Sequence, residues 1–476
     1  MKIEILDSIE CEISKRDGAV LAPALSFESS YWVQGPLKKS RKVYKKNVFS
    51  FKGKQVWRFY TGLLPRVLEY CEENGIPVEV IGEELKIKPQ KKPHLAGITF
   101  RDDQLKLIDA ACKAGRGVIQ APTGVGKTII QLGIISCYPK HRILVLVHNK
   151  DIVLQTFKKL KSFGFKDIEM YGAGNRAKEP TARIAVATMQ TFVKIKPEDY
   201  MDYYDIILLD ESHHAQKMDS TYVKILSHLL APVKIGFTAT KRTNGEAVLI
   251  NEGLFGKTID RVTIKEASDL GILATPKLKL IKAKCSDEIL DIRNFQDSYE
   301  KIRVEGKLVN GARIKVGVYT YGIVENEKRN RQIAKIVKDF YEHDRTTLIF
   351  VTHINHGNLI AKEIKKELSV NVPFVQGSMD AKDREKTKSD LINKKLKVCI
   401  ASSTWIEGVD VPNLDCVIMA GGGKSDIQTL QKIGRGLRKT KDKDFVTIVD
   451  FLDLKHFHLI RQTGERLSTY SDNNWL

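Results

Sequence analysis

A chain of 476 residues is too long for one compact core and predicts two to four domains at roughly 100–200 residues each. Hydrophobic residues at 42% and charged residues at 29% exclude a disordered chain, and no apolar run approaches the ~18 residues of a membrane span. Lys plus Arg number 78 against 58 Asp plus Glu, and the net charge of +20 favours a polyanionic partner such as nucleic acid, because each neutralised phosphate releases condensed counterions.

The first 95 residues have a character of their own. MKIEILDSIECEISK carries acids throughout and no apolar h-region, so no secretory signal is expected. A basic stretch, Lys38 to Lys46, sits among Tyr31, Trp32, Phe49, Phe51, Trp57, Phe59 and Tyr60. The alternation Val56-Trp57-Arg58-Phe59 predicts a strand, and Leu63–Asn74 has helical spacing closed by Gly75. Residues 1–95 therefore read as a small α+β domain ending in the basic linker Lys88-Pro89-Gln90-Lys91-Lys92-Pro93. From Ile98 onward, short apolar runs alternate with amphipathic segments: Gly117–Gln120, Ile143–Val147, Ile184–Ala187, Ile206–Leu209 and Lys234–Phe237. The pattern pauses at Glu266–Pro276 and resumes with Lys277–Ala283, Thr347–Val351, Val372–Val375, Lys397–Ala401, Cys416–Met419 and Phe445–Asp450. Buried strands alternating with helices predict parallel sheets with βαβ crossovers, so two tandem α/β domains are expected at 96–270 and 271–455, with a tail at 456–476. Residues 284–318 fit neither and read as an insertion or an irregular connection. The seven scattered cysteines include no CxxC pair, which argues against a disulfide framework or zinc ribbon and for a reducing compartment.

The strand Gly117–Gln120 runs into Ala121-Pro122-Thr123-Gly124-Val125-Gly126-Lys127-Thr128, and an apolar helix, Ile129–Tyr138, comes next. Strand, glycine loop and helix in that order form a phosphate cradle, with backbone N–H groups and the helix N-terminus turned to the anion. Lys127 is placed to reach the β- and γ-phosphates, and the Thr128 hydroxyl to ligate Mg²⁺. Such a loop needs an acidic partner at the end of a neighbouring strand. Ile206-Ile207-Leu208-Leu209 runs directly into Asp210-Glu211-Ser212-His213. Asp210 is the expected Mg²⁺ holder, and Glu211 the group that polarises the attacking water.

Residues 121–128, the DESH box at 210–213, Thr238-Ala239-Thr240 and Gln431-Lys432-Ile433-Gly434-Arg435-Gly436-Leu437-Arg438 together resemble a superfamily 2 helicase. The resemblance implies two RecA-like domains and ATP and Mg²⁺ as cofactors. It implies that Gln104 reads adenine with Arg101 stacking on the base, and that His213, Thr238 and Thr240 couple ATP hydrolysis to movement. It further implies that Gln431, Arg435 and Arg438 serve the γ-phosphate, where a guanidinium stabilises developing charge. Ala401 to Pro412 resembles motif V, with Gly408 and Asp410 at its nucleotide-facing positions and Ser402 where many members have Thr. Trp405 is read either as a base-stacking residue or as a packed aromatic. His148, Asn149, Lys150, Thr188 and Gln190 of the first domain, and Thr352, His353 and Gly377 of the second, resemble strand-contacting positions.

The Thr61–Tyr70 stretch and the ESHHAQ turn resemble phage UvsW-like branch-migration helicases. That likeness implies a DNA helicase acting on forks and Holliday junctions in replication, recombination or repair, with residues 1–95 as a duplex-DNA holder and a cytoplasmic, nucleoid-associated location. A duplex translocase that does not separate strands, an RNA helicase and a passive nucleic-acid-binding module are the alternatives. His213-His214, His353/His356 and His456/His458 lack Cys or acidic partners at matching spacing, which argues against structural zinc.

Overall fold

The apolar runs IILL, ILVLV and IAVAT become strands buried on both faces, the expected fate of β-rich segments in a parallel sheet covered by helices. In the computed structural model, residues 1–34, 39–47, 49–52, 56–172, 174, 180–240, 245–284, 303–304, 307–308, 317–402, 411, 413–423, 433–434, 436–440 and 443–476 are described. They form two units, Met1–Pro122 with Gly126–Val262, and Thr263–Leu476 with Thr123–Val125.

The first unit contains an N-terminal mixed sheet and a parallel sheet. In the N-terminal part, strands β1 (Lys2–Ile5), β2 (Glu10–Ser14), β5 (Phe49–Lys52), β6 (Val56–Tyr60) and β7 (Glu79–Ile81) run in the order β5-β6-β2-β1-β7, antiparallel except for the parallel β1–β7 pair. Strands β3 (Ser26–Gln34) and β4 (Lys39–Asn47) pair separately as an antiparallel ribbon, so most of the basic stretch lies on β4. The predicted helix at 63–74 is Leu64–Glu73, entered through a 3₁₀ turn at Thr61–Leu63 and followed by Gly75 at φ 64°. Ile3, Cys11, Leu21, Phe59, Leu63 and Val67 form the core of this part.

The parallel sheet comprises β8 (Arg116–Gln120), β9 (Ile143–Val147), β10 (Ile168–Tyr171), β11 (Ile184–Thr188), β12 (Ile206–Leu209), β13 (Val233–Thr238) and β14 (Thr258–Arg261), in the order β10-β11-β9-β12-β13-β8-β14. The edge strands β10 and β14 escape the sequence pattern because their residues are mostly half-exposed, so no continuous apolar run marks them. Within the sheet, burial of each aliphatic side chain contributes about 1.5–3 kcal/mol. Helix Gly245–Phe255 is buried nearly all round, as its run AVLI…LF requires.

The second unit has β15 (Thr275–Lys282), β18 (Thr347–Phe350), β19 (Phe374–Val375), β20 (Val398–Ala401), β21 (Cys416–Ile418) and β22 (Phe445–Leu452), all parallel, in the order β15-β22-β21-β18-β20-β19. A two-stranded pair, β16 (Arg303–Val304) with β17 (Lys307–Leu308), falls within the segment read as an insertion, most of which lies outside the described residues. The architecture is thus α/β, two tandem RecA-like parallel sheets with a small N-terminal mixed sheet. Residues 456–476 carry helix Phe457–Asp472, which buries Leu459, Thr463, Arg466, Thr469 and Tyr470. Among the described residues, no helix is long and apolar enough to cross a membrane.

Candidate active site

Sheet order assembles the site of the first unit. Strands β8, β13, β12 and β9 are consecutive and parallel, so the phosphate loop, Thr238, Asp210 and His148 leave neighbouring carboxyl ends. Ligands bind at such carboxyl edges in open α/β sheets. The loop begins where the Ala121 N–H donates to the Thr238 carbonyl at 2.9 Å. Gly124 and Gly126 then turn the chain at φ 96° and 101°, a region that a side chain disfavours. Helix Lys127–Cys137 comes next, beginning two residues before the predicted start, and aims its N-terminal N–H groups at the loop.

A continuous polar chain runs from this loop to β13. Lys127 Nζ donates to Glu211 Oε1 at 3.0 Å. Glu211 Oε2 lies 3.2 Å from His213 Nδ1, and that nitrogen lies 3.0 Å from Thr238 Oγ1. The Thr238 hydroxyl donates to the Thr240 carbonyl at 2.9 Å and accepts from the Thr240 N–H at 3.2 Å. Because the single Thr238 proton goes to Thr240, the Thr238 contact requires the imidazole proton on Nδ1. His213 is thereby oriented by Thr238, with Glu211 Oε2 facing the same nitrogen at 3.2 Å, and stands between the phosphate-loop acid and the TAT turn.

Electrostatics separate the two adjacent carboxylates. Burial pushes the Asp210 carboxyl up and the charge of Glu211 adds to this, with Lys127 opposing. Glu211 is equally buried, but Lys127 and His213 outweigh desolvation and hold its carboxyl well below the usual range. Burial lowers His213, against the pull of Glu211, so its imidazole is neutral at pH 7. Glu211 also adopts φ 52°, a left-handed conformation uncommon for a residue with a side chain. The Asp210 Oδ1 oxygen is buried without a hydrogen-bond partner among the described residues. An ionisable oxygen left in that state suits a cation, so Asp210, with Thr128 in the first turn of the helix, fits the Mg²⁺ that the phosphates would bring.

The remaining expected site residues divide by position. Gln104 is buried, accepts from the Arg101 N–H at 3.2 Å, and packs so closely on Gly126 that a Cβ there would lie 2.8 Å from its Nε2. Arg101 makes a two-pronged ion pair with Asp103, at 2.9 Å on each arm. The ring of His148 lies 5.0 Å from that of His214, and His214 lies 4.4 Å from His213, the pairs tilted by 37° and 34°. Asn149 Oδ1 accepts from the Asp151 N–H and caps helix Lys150–Ser162, while Lys150 is exposed. Thr188 is buried and caps the short helix Met189–Phe192, on which Gln190 is exposed. In the second unit, Thr352, His353, Gly377 and Ser402 leave the carboxyl ends of β18, β19 and β20, neighbours in that sheet. Ser402 is buried, whereas Thr352, His353 and Gly377 are exposed. Arg438 is exposed, and its backbone bridges Leu273. Trp405, Gly408, Asp410, Gln431 and Arg435 lie outside the described residues.

Two sets of residues were not read from the sequence. Asn251 Nδ2 donates to the Ser212 carbonyl at 2.7 Å, tying helix Gly245–Phe255 to the DESH box. A polar residue within the apolar run AVLINEGLF was the available signal. The second set is a buried charge network at the end of β22. Arg329 Nε donates to Asp453 at 3.1 Å, and its Nη1 donates to the Ala420 carbonyl at 2.7 Å. Arg466 donates to Asp450 at 2.7 Å and to the Gly423 and Phe451 carbonyls at 2.8 Å each. The Tyr470 hydroxyl completes it by donating to Asp450 at 2.7 Å. These contacts hold the loop Ala420–Gly423, which leads toward the QxxGRxxR motif. The aspartates in the apolar strand VTIVDFLDL signalled burial, but their partners are 16 to 124 residues distant.

A sequence-family model described as type III restriction enzyme, res subunit, matches residues 97–243, and one described as helicase conserved C-terminal domain matches 328–440, together more than half of the chain. The chain is 27% identical over 386 residues to the ATP-dependent DNA helicase uvsW of Enterobacteria phage T4, covering 76% of this chain and 72% of that protein. It is 27% identical over 374 residues to the DNA 3'-5' translocase XPB2 of Sulfurisphaera tokodaii, covering 74% and 81%. A solved fragment of a putative HsdR subunit of a type I restriction enzyme from Vibrio vulnificus shares the fold, with a TM-score of 0.56 at 17% identity over 90% of this chain and 88% of that one.

Proposed function

As the chain belongs to superfamily 2 of the helicases, and is an ATP-dependent DNA helicase or translocase, we propose that it remodels branched DNA such as forks and Holliday junctions. The observation that carries the motor reading is the chain of contacts from Lys127 through Glu211 and His213 to Thr238 and Thr240. In it, His213 stands between the group that faces the γ-phosphate and the turn that leaves β13, so a change at one end is felt at the other. Lys127 binds the phosphates, Glu211 takes the proton of the attacking water, and Gln104 meets the base beside Gly126. Thr128 and Asp210 hold Mg²⁺, which when bound neutralises phosphate charge. Gln431, Arg435, Arg438, Gly408 and Asp410 are assigned to the nucleotide in the ATP-bound form, and guanidinium groups there stabilise charge developing on the γ-phosphate. ATP then favours one arrangement of the two RecA-like domains by its differential contacts, and hydrolysis removes the preference.

Branched DNA as substrate is supported by the likeness to the phage T4 helicase, by the net charge of +20 and by the basic strand β4 of the N-terminal part. Residues 1–95 are assigned to duplex DNA. His148, Asn149, Lys150, Thr188, Gln190, Thr352, His353, Gly377, Ser402 and Trp405 are assigned to the strand, although the Asn149 and Thr188 side chains already cap helices and would contact phosphate only by sharing those bonds.

The test is ATP turnover and strand separation by the full chain on single-stranded DNA, RNA, blunt duplex, forks and four-way junctions. Junction processing that exceeds blunt-duplex translocation, measured by triplex displacement, is expected. Equal displacement on blunt duplex with no fork unwinding would establish a duplex translocase instead, and RNA-restricted stimulation would overturn the DNA assignment.

A further inference from the structure

Helix Gly245–Phe255 has two faces with different partners, both within the first unit. On one face, Asn251 donates to the Ser212 carbonyl of the DESH box at 2.7 Å. Here Val248, Asn251 and Glu252 join His213, Thr238 and Thr240 in lining a small cavity of about 30 Å³, so Glu252 borders both the cavity and the N-terminal part. On the other face the helix belongs to the N-terminal part. Leu249 sits in that part's core, and Tyr60 in return packs against the core of the parallel sheet. Gly62 approaches so closely that a Cβ would lie 2.2 Å from the Glu252 carbonyl oxygen, and Gly253 lies under the Tyr60 ring. Arg66 clamps Glu252 through Nε at 2.7 Å and Nη2 at 2.6 Å, and Lys257 pairs with Glu69 just beyond the helix end.

The residues on the two faces are adjacent in sequence. Asn251 bonds the DESH box and Glu252 bonds the N-terminal part. A helix is stiff over one turn, and this one is packed on nearly all sides, so a displacement at Glu252 moves Asn251 with it. The interlock is also too close for free sliding, because two glycine backbones meet across it.

We propose that helix Gly245–Phe255 couples the N-terminal part to ATP hydrolysis, with Asn251 as a positioning residue for the DESH turn and the Arg66–Glu252 pair as its input. This rests on the reading that residues 1–95 hold duplex DNA. Duplex engaged by the N-terminal part shifts the helix through Arg66, and Asn251 carries the shift to the Ser212 carbonyl between Glu211 and His213. The N-terminal part is then a sensor joined to the hydrolytic centre as well as a holder of DNA.

The experiment compares full-length wild type with R66E, E252R, N251A, N251D and the swap R66E/E252R. For each, ATP turnover is measured without DNA and with saturating forked DNA, and DNA affinity is measured separately by fluorescence anisotropy. Wild type is expected to be stimulated by the fork. R66E should lose at least fivefold of that stimulation at saturating DNA, and the swap should restore most of it. N251A and N251D, neither of which keeps the donor, should lose stimulation through kcat rather than through the KM for ATP. R66E combined with N251A should be no worse than the weaker single variant. Full stimulation in R66E and N251A, or a swap that restores nothing while melting at the wild-type temperature, overturns the coupling. Wild type that binds forks only through residues beyond 95, or is not stimulated by them, instead overturns the substrate reading on which the proposal rests.

Discussion

Replacing Glu211 by Gln separates nucleotide binding from hydrolysis. In the structure, Lys127 Nζ is committed to Glu211 Oε1 at 3.0 Å, with both side chains about nine-tenths buried. To reach a β- or γ-phosphate, Lys127 must exchange this charge-assisted bond, and such a bond contributes about 1.5–3 kcal/mol. Glutamine keeps the shape and an acceptor oxygen but removes the charge, so half or more of that contribution no longer opposes ATP. The affinity for ATP should rise by about tenfold, equivalent to about 1.4 kcal/mol. Turnover should move the other way. Loss of a positioned general base costs about 10²–10⁴ in rate, or about 3–5 kcal/mol of transition-state stabilisation. The assay pairs equilibrium binding of a fluorescent ATP analogue with steady-state phosphate release on single-stranded DNA. Turnover within threefold of wild type would refute the role given to Glu211. Weakened nucleotide binding would refute the competition between Glu211 and phosphate for Lys127.

Lys127→Ala should abolish ATP turnover and leave DNA affinity within about threefold, since a single phosphate-binding cation is lost from a chain of net charge +20; anisotropy and phosphate release check both halves. Arg466→Leu leaves Asp450 buried without its charged partner, with the Tyr470 hydroxyl and the Phe451 N–H still donating to it, and should destabilise the chain by about 3–5 kcal/mol, read by chemical denaturation. His356 is fully buried, and desolvation together with the charges of Arg329 and His353 holds its imidazole well below the usual range. The unfolded chain therefore binds a proton there that the folded one does not, so this part of the stability is intact above pH ~6.5 and is lost progressively as the pH falls below it. His356→Gln should remove that part of the acid sensitivity in denaturation curves recorded across pH 5–8. Lys234 is buried in β13 and pushed well below the usual lysine range by desolvation and by the charge of Arg116. The unfolded chain again binds the extra proton, so stability should rise with pH toward ~10.4, and Lys234→Met should raise the melting temperature at pH 7.

Much of the architecture is legible because parallel sheets demand strands that are apolar on both faces. Ile143–Val147, Ile206–Leu209 and the strand leading to Ala121 announce themselves, and the residues after each strand lie at a carboxyl edge by topology alone. Lys127, Asp210 and Glu211 could be named as a candidate site because glycine-loop geometry and strand-end acids are local in sequence, whereas Thr238 entered only through the family resemblance. Strands β10 and β14 were not legible, since an edge strand is half-covered and its pattern fades into that of a turn.

What the amino-acid order determined unaided was the alternation of strand and helix, the phosphate loop and the acids that face it, because each depends on residues within one or two turns of one another. Tertiary structure alone decided how those pieces share protons and charge. The Nδ1 proton of His213 is assigned by a threonine 25 residues away, and the two neighbouring carboxylates are driven apart by burial and by a lysine 84 residues upstream of Glu211. The helix after the TAT turn likewise acquires its two partners only when residues 60–66 pack on one face and the DESH box on the other. Propensity and periodicity act along the chain, whereas desolvation, ion pairing and close packing act through space, and no reading of one dimension contains them.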